Sequence, residues 1–132
     1  MGAFSLWHWL IVLIALAVPV TAIATERSER RTSRQTFIIW VVSVLAVSIA
    51  LPEVLELIGV HPMTAALIVL PVVFILLIPL YRHYVRRARD AGMGKLIVYL
   101  TIIPIVSPFT TLYLMIAKPA DGAPPTSRPD IV

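Results

Sequence analysis

The chain contains no cysteine, which excludes disulfides, thiol nucleophiles, iron–sulfur ligation and thioether-linked haem. It carries no charged side chain between Met1 and Thr25. No Asp or Glu falls inside any of its later long apolar runs either. A proton-driven pump ordinarily depends on an intramembrane carboxylate, so this absence lowers transport and catalysis alike. The serine-hydrolase elbow, the His-Glu-x-x-His helix and the glycine-rich phosphate loop are also missing. The sequence therefore points to a protein that is not an enzyme and needs no cofactor.

What is present is hydrocarbon-seeking sequence. Of 132 residues, 59% are hydrophobic and 14% charged, and the mean hydropathy is +0.93, far above a soluble domain of this length. Room exists for about four spans of roughly 20 residues. The expected spans are residues 6–24, 35–51, 63–81 and 96–117, followed by a Pro-rich polar tail over 119–132. The fold class expected is an all-α membrane protein with four transmembrane helices. The net charge of +4 needs no nucleic acid, because cations flanking spans are expected from topology alone.

Charge distribution then sets orientation. The first connection holds four cations (Arg27, Arg30, Arg31, Arg34) and the third holds five (Arg82, Arg86, Arg87, Arg89, Lys95), together nine of the eleven Lys and Arg. The second holds none. Positive-inside assigns the first and third to the cytoplasm, which with four crossings leaves both termini on the periplasmic side. Ala22-Ile23-Ala24 resembles a signal-peptide cleavage site, but the basic segment that should precede the apolar core is missing, so a retained helix is expected.

Candidate site residues are few. Trp7, His8 and Trp9 bunch at the start of the first span and read as an interface anchor; His8 is also a candidate axial ligand for a haem or pigment metal. Glu53, Glu56 and His61 in the second connection are candidate metal ligands, set against the plainer reading of a hydrated turn. Ser43, Ala46 and Ala50 share a helical face that would allow close helix contact. Pro71 and Pro79 should kink the third span, while Thr101, Ser107 and Thr111 could satisfy backbone freed by Pro104 and Pro108 in the fourth. Arg86, Arg87, Arg89 and Asp90 are candidates for docking anionic lipid headgroups or an acidic partner surface. Asp90 lies within reach of Arg86 and Arg87 for an exposed ion pair that would steady a turn at Gly92.

Arg86, Arg87, Asp90 and Gly92 match in register the mark of a bacterial inner-membrane family, domain of unknown function 805. That mark reads Arg-Arg-Leu-His-Asp-x-Gly-x-Ser-Gly-Trp-Trp and is followed by a span with Leu-Ile-Pro; Ile103-Pro104 falls at that spacing. Arg31, Arg34 and Phe37 match an upstream Gly-Arg-x-x-Arg-x-x-aromatic element. The resemblance covers about residues 30–125, with residues 6–24 as an additional N-terminal span. Arg89 replaces the family His, Gly94-Lys95 its Ser-Gly, and Leu96-Ile97 its Trp pair. The resemblance implies a bacterial inner membrane and no assigned activity. The expected role is a non-enzymatic accessory or assembly subunit bound to other integral membrane proteins. A small transporter or channel component, or a pigment-binding or haem-binding subunit, is the alternative.

Overall fold

The computed structural model describes residues 6–28 and 30–120; the expected tail lies almost wholly outside them. Three long helices dominate: α1 (Leu6–Thr25), α2 (Arg34–Leu57) and α3 (Pro62–Asp90). Each is long and apolar enough to cross a membrane. Two shorter helices follow, α4 (Leu96–Tyr99) and α5 (Ser107–Ile116), with a 3₁₀ turn at Leu100–Ile102 between them.

Helix α3 is the centre, packed against α2 and α1. Its neighbours fix the directions. Phe37 at the start of α2 meets Tyr84 near the end of α3, ring edge to face with centroids 4.9 Å apart. Glu26, just past α1, reaches Arg86. Thus α1 and α3 run parallel, and α2 runs between their ends in the opposite sense. The contact face of α2 is Phe37, Trp40, Val41 and Val44, a spacing of three, four and seven that keeps one stripe against α3. Ser43, Ala46 and Ala50 are exposed: helix contact here uses large side chains, not the small-residue face expected.

Proline acts differently along the chain. Pro19, Pro52, Pro71 and Pro79 all lie inside continuous helices. Helix α2 runs through Pro52 to Leu57, so Glu53 and Glu56 sit on its last turns and not in a connection. It ends in a glycine cap: Gly59 at φ +82, with the Gly59 N–H donating to Glu56 O at 2.9 Å and Val60 N–H to Leu55 O at 2.9 Å. Helix α3 is 29 residues long, about 43 Å at the helical rise and well beyond a hydrocarbon core of about 30 Å. The excess matches the length of its last nine residues, 82–90, which carry all of the helix's charged side chains.

The fourth expected span is not one helix. Ile103, the residue before Pro104, is extended at φ −80° and ψ 114°, the region to which a following proline ring confines it. The chain turns over residues 103–106, and α5 restarts with Pro108 in its first turn, where a missing N–H costs nothing. Thr101 and Thr111 donate to the carbonyls of Val98 at 2.6 Å and Ser107 at 2.8 Å. Successive contacts show which way α5 runs: Tyr84 Oη bonds Thr111 Oγ1 at 2.7 Å, Arg87 reaches Leu114 O at 3.0 Å and also Ala117 O, and Ala120 N–H donates to Asp90 O at 2.9 Å. Helix α5 is therefore parallel to the end of α3, whereas a crossing helix that followed α3 would be antiparallel to it. Residues 96–117 form a hairpin that folds back on itself. The correction to the four-helix expectation is three membrane-length helices plus this hairpin, with residues 117–120 at the same end of the bundle as Arg82–Lys95.

Candidate functional site: a buried charge knot at one end of the bundle

Among the described residues, the buried charge gathers around the end of α3. Arg87 is fully buried and Asp90 is 2% exposed. The Arg87 guanidinium has three directions to satisfy and does so within the chain: Nη1 to the Asp90 carboxylate, Nε to Leu114 O and Nη2 to Ala117 O. Leu114 and Ala117 lie at the C-terminal end of α5, whose last carbonyls lack helical partners and carry the negative end of the dipole. A planar, always-charged fork matches that pair of acceptors as a lysine would not.

A glycine cap completes this corner. Gly92 N–H donates to Arg89 O at 3.0 Å and Met93 N–H to Ala88 O at 2.8 Å, the double bond of a Schellman end. Gly92 has φ +73, and a Cβ there would stand 2.9 Å from Ala120 Cβ. Both the backbone angle and the segment at Ala120 docked beside it require glycine.

The second half of the knot is built on Glu26, 5% exposed. Its Oε1 accepts from Ser28 N–H at 3.1 Å and Arg86 Nε at 3.4 Å, and Arg82 Nε approaches Oε2 at 3.8 Å. Its backbone carbonyl accepts from Lys95 Nζ at 2.6 Å and Arg89 Nη2 at 3.1 Å. Arg89 also donates to Ser28 O. One residue thus ties α1 to α3 and to the start of the hairpin. Beside it, Thr32 Oγ1 lies 3.1 Å from His83 Nδ1, and Trp40 stacks on the His83 ring at 4.9 Å. Burial holds the His83 imidazole below its ordinary pKa; the nearby Arg86 charge adds to this, and Glu26 pulls the other way.

Several expectations change here. The ion pair of Asp90 is with Arg87 and is buried, where an exposed pair was expected. Arg87 and Asp90 have no surface to offer a headgroup or partner, and Arg86 and Arg89 direct their donors at Glu26 and Ser28. In the connection after α1, Glu26 and Thr32 are buried despite the charged sequence around them. Glu26 was missed as a site residue. Its signal was available: the first charged residue after an uncharged helix, an acid in a chain whose cations outnumber its acids.

The other candidates are not brought together. His8 is exposed on the first turns of α1. His61 caps α3, its Nδ1 accepting from Met63 N–H at 3.3 Å. Among the described residues no three His, Cys, Asp or Glu side chains are grouped as a metal site. An open groove of about 300 Å³ beside Glu56 is otherwise lined by Pro52, Val60, Pro62, Ala65, Ala66 and Val69, which supply no second ligand.

Three helices of spanning length, joined by short connections and held by a knot at one end, define a small multi-span membrane protein. Residues 27–125 match the family described as Protein of unknown function (DUF805). The match spans three quarters of the chain, and the chain belongs to this family. Helix α1 precedes the matched region, although Glu26 at its end anchors Arg86 within it. No curated protein and no solved structure matches the chain.

Proposed function

We propose that this chain is a non-enzymatic accessory or assembly subunit that packs against other integral proteins in a bacterial inner membrane. The observation that supports this reading is where buried polarity sits. Among the described residues the buried charged side chains are Glu26, Arg87 and Asp90, all in the knot, and no buried side-chain nitrogen or oxygen lacks a partner. A transporter or channel needs polar groups along a route through the bilayer. In the stretch of α3 before Leu80 the buried residue is Ala65. What remains for function is the outer surface of the helices.

In this reading α1, α2 and α3 cross the bilayer, the hairpin enters and leaves from the cytoplasmic face, and the two basic connections are cytoplasmic by the positive-inside rule. The N-terminus is then periplasmic and the C-terminus cytoplasmic. Photo-crosslinkers at Ile39, Leu67 and Phe109, all exposed, should capture a defined integral membrane protein, and proteoliposomes of the purified chain should show no ion or solute flux above protein-free vesicles. Flux through the purified chain would overturn the reading in favour of a transporter. A visible absorption band in the purified protein would instead favour a pigment or haem at His8.

A further inference from the structure

The structure divides cations of one end of the bundle into two sets that the sequence does not distinguish. Arg86, Arg87, Arg89 and Lys95 are spent on acceptors within the chain. Arg27, Arg30, Arg31 and Arg34 are exposed, and none forms an ion pair with a described carboxylate. Arg82 stands between the sets, half exposed with Glu26 at 3.8 Å. The described acids at this end, Glu26 and Asp90, are both buried. Among the described residues, no exposed acid at this end faces the four arginines, and with Glu29 as the one acid between Arg27 and Arg34 the connection stays net positive by sequence.

We propose that Arg27, Arg30, Arg31 and Arg34 dock anionic phospholipid headgroups of the leaflet that surrounds this end of the bundle. The argument is one of depth. Arg34 opens α2, and Ile39 and Val42 on the same helix are exposed apolar side chains. Arg34 and Ile39 are five residues apart, about 7.5 Å of helix. The headgroup layer on each side of a bilayer is about 5–8 Å thick. With Ile39 against acyl chains, Arg34 stands at the phosphate plane, and Arg27, Arg30 and Arg31 belong to the connection that leads into it. An acidic protein or a nucleic acid would have to reach the same charges past the headgroups already there. The proposal rests on the reading of the chain as a membrane subunit but requires no protein partner, so the two fail separately.

The test uses the full-length protein in nanodiscs of equal parts phosphatidylglycerol and phosphatidylcholine, with retained lipid measured by native mass spectrometry. The wild type should retain phosphatidylglycerol over phosphatidylcholine by about tenfold or more at low salt, with the preference shrinking as salt rises. The variant with Arg27→Gln, Arg30→Gln, Arg31→Gln and Arg34→Gln should lose the preference while keeping its thermal transition. Arg86→Gln should do the reverse, lowering the transition and keeping the preference. If the fourfold variant does not fold, the pairs Arg27→Gln with Arg30→Gln and Arg31→Gln with Arg34→Gln should each lose part of it. An unchanged preference in the variants, or none in the wild type, overturns the proposal. So does displacement of the lipid by inorganic phosphate at equal concentration, which would mark a site for soluble anions.

Discussion

The two ends of the bundle are built on different physics. At the end of α3, one buried guanidinium, one buried carboxylate, one glycine cap and Glu26 join α1, α3, the hairpin and the segment at Ala120, while Phe37 and Trp40 bring in α2. At the other end the helices are joined by a turn with its own glycine cap, and Leu57, Ile58, Met63 and Leu67 face outward. The first end is specified by directional bonds among protein groups. The second has cap bonds within its own turn, and in a bilayer helices gain little from burying Leu against Leu because lipid is equally apolar. A membrane protein without much interior can thus still have one geometry, provided a few polar contacts fix the helices at one level.

The sharpest way to break this contrast is Arg87→Leu. It leaves Asp90 charged and buried and frees the carbonyls of Leu114 and Ala117, a loss of about 3–5 kcal/mol, readable as a collapse of the thermal transition in detergent. A reporter at Val132 should also become heterogeneous in sidedness as the hairpin is released. The double change Arg87→Met with Asp90→Leu removes both charges and should recover part of the stability. Leu67→Ala at the other end should cost less than about 0.5 kcal/mol.

The paired glycines sharpen the comparison, since both end helices with positive φ. Gly59→Ala adds a Cβ into open space and should cost about 1 kcal/mol for the backbone angle alone. Gly92→Ala carries the same angular cost and also drives a Cβ into Ala120, so about 2 kcal/mol or more is expected. Equal transitions for the two variants would mean that Ala120 is not held against Gly92.

Much of this was legible from composition. Length and hydropathy mark α1, α2 and α3, because a span must be long and apolar whatever it packs against. The hairpin was not, since Pro104 gives the same local signal as Pro71 and Pro79, which stay inside α3. What separates them is tertiary: Arg87 holds the returning α5 by its last carbonyls, a contact 27 to 30 residues away in sequence. The site was legible in part. Arg87, Asp90 and Gly92 stood out, but their burial did not, because a run of arginines reads as solvated whether or not acceptors from other segments cover it.

Glu26→Gln is the next smaller effect. The amide keeps the shape and the acceptor oxygen but removes the charge facing Arg86 and Arg82, so about 1–2 kcal/mol should be lost. High salt should narrow the gap between variant and wild type if the partly exposed Arg82 and Arg86 contribute much of it.

The smallest effect expected is a dependence on mild acid, and it isolates His83. The imidazole sits beside Thr32, under Trp40, with Arg86 and Glu26 as its charged neighbours, and its folded pKa is lowered chiefly by burial. A base whose folded pKa lies below its unfolded value of about 6.5 favours the fold in its neutral form. Its contribution is therefore complete above that unfolded value and is lost as pH falls toward and through the folded one, because the unfolded chain binds the proton more readily. Thermal transitions of the wild type should decline slightly from neutral pH to about 5, and His83→Gln, which cannot titrate but can still meet Thr32, should show a flatter profile. The difference between the two profiles is the His83 contribution, free of other carboxylates common to both. Parallel profiles would mean that His83 is wet enough in the folded protein to protonate as freely as in the unfolded chain, and the polar end would then be looser around Thr32 and Trp40 than around Arg87.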